Sequence, residues 1–315
     1  MSRYCGRLAP SPTGALHLGN ARTFLLAYLR ARSAGGSVLM RMEDLDHPRD
    51  KPGAAEGALE DLKWLGLSWD GEYVQSRRKN FYAEALAELR RKGLAYPCVC
   101  SRADVERAQS APHDKEQLFY PGTCRGRFAS WEDAVAFCKP RVPAWRFNVS
   151  GVGVVEVNDS FCGLKSFDIE KQFGDFPLAR DKSGAGYMLA CIVDDCLTGV
   201  TEVVRGDDLL PSAAQQIAIA RALGFNPPEY CHVPLVVAPD GRRLAKRHGD
   251  TRISSFRERG ISPERTIGLL AWWSGLTPYG TETTIDELVP LFDLSKVPES
   301  RPVLTSEIKR DFGLI

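Results

Sequence analysis

The segment Arg7-Leu8-Ala9-Pro10-Ser11-Pro-Thr-Gly-Ala-Leu-His17-Leu-Gly19-Asn20 brings together a cation, a Pro-broken turn, a histidine and a glycine. Tyr4 to Ala9 reads as a short strand, and the turn after it leads into helical spacing of Phe24, Leu25, Tyr28 and Leu29. His17 and Gly19 therefore fall at the mouth of a helix. Free backbone N–H groups and a partial positive charge there suit a phosphate. Gly19 lets a nucleotide approach the main chain, His17 can donate to a phosphate oxygen, and Asn20 is the expected cap. The competing reading is a capped helix after a turn.

Three further groups offer chemistry. Arg41-Met-Glu43-Asp44-Leu-Asp46-His-Pro-Arg49 follows a second short strand, where an acid is well placed to hold an amino group. A surface charge network is the alternative. Tyr187 opens an apolar run read as a strand, and Arg205 closes another, where its guanidinium can meet a carboxylate through two bonds. By themselves they are equally a core tyrosine and a salt-bridged arginine. Gly241-Arg-Arg243-Leu-Ala-Lys246-Arg247 is either a basic turn or a phosphate clamp, in a stretch from Arg242 to Arg259 with seven Lys or Arg against two acids. Finally, Cys98, Cys100 and Cys124 can hold zinc through thiolates. On chemistry alone His113 is the natural fourth ligand, and three buried free cysteines are the alternative.

These groups need a scaffold. Strand, glycine-containing turn, helix and strand form a βαβ unit with a parallel sheet. Helices are expected near Ala54–Leu65 and Arg77–Lys92. From Tyr96 to Ala185, Cys, Pro, Gly and short β-rich pieces mark an inserted module. The α/β pattern returns with Tyr187–Val193, Val200–Val204 and a helix at Pro211–Leu223, and a mainly helical section begins near Thr251. The expected division is 1–95 and 186–250 for two halves of one catalytic domain, 96–185 for the insert, and 251–315 for the helical end.

The chain has 315 residues with net charge +1, so no global charge announces a nucleic-acid partner. Its hydrophobic content of 43% and charged content of 26% are those of a globular protein. No apolar run reaches the ~18 residues of a membrane span. Nine mostly scattered cysteines without a signal sequence point to a reduced, cytoplasmic chain rather than a disulfide framework.

The string APSPTGxLHLGNART resembles the HIGH-motif region of the glutamyl-tRNA synthetase family of class I aminoacyl-tRNA synthetases. The R-x-E-D-x-D-x-x-R, Y-x-L-A-x-x-V-D-D and T-x-x-x-R-G-x-D-L blocks are similar to that family's too. This resemblance implies a Rossmann-type catalytic core with an inserted α+β zinc-containing module and a helical domain like the one that contacts the tRNA stem. It implies a glutamate site of Arg7, Leu8, Ala9, Pro10, Ser11, Glu43, Tyr187 and Arg205, with Glu43 on the α-ammonium. It also implies an ATP site, with Mg2+, of His17, Gly19, Asn20, Arg243 and Lys246. Arg243 and Ala245 depart from the family's KMSKS loop, while Lys246 keeps a lysine for the phosphates.

Short relatives, the glutamyl-Q tRNA(Asp) synthetases, carry C-x-C followed by Y-x-x-x-C. The resemblance thus names Tyr120 rather than His113 as fourth ligand of one structural zinc. Longer relatives continue into an anticodon-binding region, whereas this sequence stops at Ile315. The expectation is a monomer without that region that activates L-glutamate without tRNA and transfers it to queuosine in tRNA(Asp). Alternatives are a minimal glutamyl-tRNA synthetase charging a tRNA 3′ end and a non-catalytic glutamate- or nucleotide-binding paralogue.

Overall fold

A computed structural model of the chain describes residues 4–45, 50–108, 119–182, 184–244 and 251–314. The first part contains β1 (Cys5–Leu8), α1 (Leu18–Ser33), β2 (Ser37–Met42), α2 (Ala54–Trp64), β3 (Gly71–Val74) and α3 (Lys79–Arg91). Strands β1, β2 and β3 are adjacent and parallel. Leu18, Ala21, Leu25 and Leu29 recur at helical spacing and are fully buried, so α1 lays one apolar stripe on this sheet. Each such leucine contributes roughly 1.5–3 kcal/mol through removal from water. The stop after α1 has a steric cause: Gly35 takes φ +63°, and a Cβ on Gly36 would lie 2.5 Å from the Tyr4 carbonyl oxygen.

The middle of the chain holds β4 (Ala95–Cys98), α4 (Arg102–Ala108), α5 (Trp131–Cys138), β5 (Ala144–Phe147), β6 (Val154–Asp159), β7 (Gly163–Asp168), α6 (Ile169–Gln172) and β8 (Pro177–Ala179). Strands β4, β5 and β8 form a separate antiparallel sheet. The β6–β7 hairpin does not join it. Buried and exposed residues alternate along β6, and its inward set ends on a carboxylate, Asp159.

Next come α7 (Tyr187–Leu197), β9 (Glu202–Gly206), α8 (Leu210–Leu223) and β10 (Glu229–Val233). Here the strand expected at Tyr187–Val193 is corrected: the run is helical. Leu189 to Val193 are all buried because α7 packs against α3, α8 and β8. A short apolar run surrounded on all sides lacks the periodicity that separates helix from strand. The second sheet runs β7-β6-β10-β9, with β10 parallel to both neighbours. It abuts the first sheet where β1 lies beside β9: Thr201 N donates to Cys5 O at 2.9 Å, and Arg7 Nη1 to Val204 O at 3.0 Å. The carboxyl ends of β1 and β9 open into a cleft at this junction, the place where open α/β sheets bind ligands.

Helices α9 (Ile253–Glu258), α10 (Pro263–Trp272), α11 (Ile285–Leu288) and α12 (Ser306–Asp311) complete the chain. Phe256, Ile267, Leu270, Leu288 and Ile308 enter the same core as Leu25 and Leu29. Fully buried Arg22 on α1 ties this section down, donating to Pro234 O at 2.6 Å and Ser274 Oγ at 3.2 Å. Among the described residues no helix is long and apolar enough to cross a membrane.

Candidate active site

The cleft at the sheet junction has a volume of about 1050 Å³ and is lined by Arg7, His17, Glu43, Tyr187, Arg205 and Arg243 among others. At one end, His17 rather than Asn20 caps α1. Its backbone is extended, and its Nδ1 accepts the Asn20 N–H at 3.4 Å. That leaves Nε2 to carry the proton as a donor. Burial, with the Arg243 charge adding to it, lowers the His17 pKa to about 4, so the ring is neutral near pH 7. A Cβ on Gly19 would stand 3.2 Å from this ring. The glycine therefore makes room for the histidine.

This burial has a testable sign. Between pH 6.5 and about 4 the unfolded chain binds a proton at His17 that the folded chain does not. Stability conferred by the neutral ring is present above 6.5 and is lost as pH falls through that window. Thermal unfolding from pH 7 to 4.5 should show a smaller decline for His17→Gln than for the parent; equal declines would contradict the assignment.

The basic loop is anchored against this helix start. Leu18 N donates to Thr251 O at 3.0 Å and Ile253 N to Leu16 O at 2.9 Å, forming an antiparallel bridge between His17 and Arg252. On its other flank, Arg243 bridges to Val237 and its Nη1 contacts Asp208 Oδ2 at 2.9 Å. Arg243 and Arg252 both line the cleft. Lys246, with Ala245 and Arg247, lies outside the described residues, as do Asp46 and Arg49 of the acidic block.

At the other end, Glu43 follows β2 and is held to the first turn by its N–H on Pro10 O. Its Oε1 accepts from Arg41 Nη2 at 2.9 Å and from the Cys191 thiol at 3.3 Å, while Oε2 accepts from Ser11 Oγ at 3.3 Å. Burial, and then the Glu43 charge, push the Cys191 pKa well up, so it is a thiol donor. Asp195 on α7 gathers the cations beneath: its Oδ1 takes Arg41 Nη1 and lies 3.7 Å from Arg7 Nε. Tyr187 starts α7, and its hydroxyl is 3.5 Å from Arg205 Nη1. Arg205 also donates from Nε to His232 Nε2 at 3.0 Å and from Nη2 to Leu209 O at 3.2 Å.

Arg7, Ala9, Pro10, Ser11, His17, Asn20, Glu43, Tyr187, Arg205 and Arg243 thus come together. Leu8 has its side chain fully buried in the core, which leaves its main chain for any contact at the cleft. Asp195, His232, Asp208 and Arg252 escaped the sequence reading. Asp195 stood inside a quoted motif, and Arg252 inside the basic stretch. His232 carried no local signal.

A second cluster lies in the middle of the chain. The sulfurs of Cys98, Cys100 and Cys124 are within 4.8 Å of one another and could hold a metal ion. Tyr120, fully buried, places its hydroxyl 3.3 Å from Cys98 Sγ and 3.5 Å from Cys100 Sγ, and it accepts the Cys124 N–H at 2.8 Å. Arg146 stacks over the Tyr120 ring at 3.9 Å. Zn–S bonds of about 2.3 Å in a tetrahedron separate sulfurs by roughly 3.8 Å, which these donors fit. His113 lies outside the described residues.

Residues 5–300 match the family of tRNA synthetases class I (E and Q), catalytic domain. A glutamyl-Q tRNA(Asp) synthetase of Symbiobacterium thermophilum is 46% identical over 93% of this chain and 94% of its own. The enzyme of that name from Rhodopirellula baltica is 45% identical over 91% of each. Among solved structures, a glutamate tRNA ligase from Elizabethkingia meningosepticum, in complex with its amino acid, superposes with a TM-score of 0.82. Identity to it is 27%, covering 99% of this chain and 69% of that one. With residues 5–300 matched by that family and relatives of that name 45–46% identical over more than nine-tenths of its length, the chain belongs to the glutamyl-Q tRNA(Asp) synthetases within the class I glutamate and glutamine tRNA synthetase family.

Proposed function

We propose that the chain activates L-glutamate with ATP in the absence of tRNA and transfers the glutamyl group to the queuosine base at the wobble position of tRNA(Asp). The observation that carries this is one continuous cleft joining Glu43, Tyr187 and Arg205 to His17 and Arg243. Glu43 binds the α-ammonium, and Arg205 and Arg7 supply the cationic surround that favours a side-chain carboxylate over a neutral side chain. The substrate α-carboxylate is already a nucleophile, so the chemistry needs alignment and charge neutralisation rather than a general base. Its oxygen attacks the α-phosphorus of Mg2+-ATP and pyrophosphate leaves. His17 Nε2–H, the start of α1, Arg243 and Lys246 meet the phosphate charge. In the second step the acceptor attacks the adenylate carbonyl carbon and AMP departs.

Glutamate-dependent ATP–pyrophosphate exchange without tRNA tests the first step. Exchange with glutamate but not glutamine supports the reading, while an absolute need for tRNA would overturn it. The structural likeness to a glutamate tRNA ligase favours one rival, 3′-end charging of tRNA(Glu). A non-catalytic paralogue would show no exchange at all.

The Cys98, Cys100, Cys124 and Tyr120 set is proposed to hold one structural zinc, with 96–185 as the module that receives the nucleic acid. The phenol's ordinary pKa is about 10, so the metal must displace its proton. Elemental analysis should find one zinc per chain. Cys124→Ser should lose it and melt lower by roughly 5 °C or more. A metal-free parent with the same melting temperature would contradict the assignment.

A further inference from the structure

Behind Arg205, away from the cleft, stands a buried chain of polar groups drawn from three neighbouring strands. His232 on β10 is the register partner of Arg205 on β9. Asp159 ends β6, which pairs with β10 through Tyr230. Arg205, His232 and Asp159 are 5%, 0% and 3% exposed. Arg205 Nε–H donates to His232 Nε2 at 3.0 Å, and His232 Nδ1 meets Asp159 Oδ2 at 2.6 Å. Asp159 is itself fixed by the N–H groups of Phe161 at 3.0 Å, Cys162 at 2.8 Å and His232 at 3.1 Å.

The direction of these bonds follows from Arg205. A guanidinium has donors only, so His232 Nε2 must present a lone pair. The ring is then neutral with its proton on Nδ1, pointing at Asp159. Burial depresses the His232 pKa in the same sense, against the pull of Asp159. The Asp159 carboxyl stays ionised: burial opposes this, but bonds from His232 and the neighbouring backbone outweigh it. A protonated His232, or the other tautomer, would set an N–H against the Arg205 N–H. The imidazole thus anchors the Nε edge, Leu209 O takes one proton of Nη2, and Nη1 faces Tyr187 in the cleft.

We infer that His232 is a positioning residue for glutamate recognition: it orients the Arg205 guanidinium, and Asp159 fixes its tautomer. The inference rests on the proposed glutamate site, and Arg205 is the group through which it reaches substrate. Losing the acceptor leaves a buried donor unpaired and a long side chain loose. The KM for glutamate should therefore change while ATP binding at the far end of the cleft does not.

The test is steady-state ATP–pyrophosphate exchange by the full chain and three variants, with thermal unfolding recorded for each. In His232→Leu, which fills the space without an acceptor, the KM for glutamate should rise on the order of tenfold or more. The KM for ATP should stay within about twofold. His232→Gln, whose amide oxygen can accept from Arg205 while its NH2 donates to Asp159, should recover most of the loss. Asp159→Asn, remote from any substrate, should raise the KM for glutamate by turning a donor toward Nδ1. An unchanged glutamate KM in His232→Leu, equal effects on both KMs, or no advantage of Gln over Leu would overturn the inference. A parent chain with no glutamate-dependent exchange would instead remove the proposed function.

Discussion

Replacing Arg205 by alanine is expected to lower kcat/KM for glutamate by roughly 10²–10³-fold, the effect of removing one partner from a desolvated charge pair worth about 2–5 kcal/mol. Arg205 is 5% exposed and anchored on three sides, so a bound carboxylate would meet a guanidinium that needs no reorganisation. Arg205→Lys keeps the charge but loses the fork and the Nε bond to His232. It should fall well below the parent while exceeding alanine. Exchange kinetics at saturating ATP check both. A kcat/KM within about threefold of the parent in Arg205→Ala would mean that the cleft does not read a carboxylate through this residue.

The largest effect on stability is expected at Asp195. This carboxylate, 1% exposed, holds Arg41 Nη1 and lies 3.7 Å from Arg7 Nε, with Arg41 itself 1% exposed. Burial alone would drive the Arg41 pKa down, yet Asp195, with Cys191 and Glu43 behind it, holds it well above the ordinary value. Asp195→Asn leaves the buried Arg41 guanidinium to Glu43, the proposed partner of the α-ammonium, and takes away the carboxylate beside Arg7. Breaking a buried pair by removing one partner costs about 3–5 kcal/mol. The melting temperature should drop by roughly 6–10 °C, with weaker glutamate activation in the surviving folded protein. A drop below about 2 °C would show that the cations are compensated from elsewhere.

Much of this site was legible as local sequence. The Arg7–Asn20 string located a strand, a turn and a helix start, because each feature lies within one turn of chain. Glu43 could be placed at a strand end for the same reason, and Tyr187 and Arg205 came from quoted blocks. The errors are physical rather than accidental. Within α7, Leu189 to Asp195 are all buried, and a segment without a wet face loses the periodicity that marks a helix. Leu8 sits between Arg7 and Ala9 of the cleft lining, yet on a strand buried along its whole length its side chain goes to the core. Asn20 looked like a cap because its side chain is a common one, yet His17 took that place.

What stayed hidden is long-range. The Asp159–His232 bond spans 73 positions and the His232–Arg205 bond 27, and neither leaves a local spacing. A carboxylate at the end of an alternating strand reads as its solvated tip until β10 is laid beside it. The same holds for the β6–β7 hairpin, which follows β4 and β5 in sequence but pairs with the sheet that carries Arg205. Connectivity across the sheets, which places the polar support behind Arg205, is a property of topology.

The most direct test of the account uses purified chain, ATP and labelled glutamate with two preparations of tRNA(Asp), one bearing queuosine and one lacking it. Transfer to queuosine puts label on the queuosine-bearing tRNA alone, retained after the 3′-terminal nucleotide is removed. Equal labelling of both preparations, or label lost with the 3′ end, would contradict it.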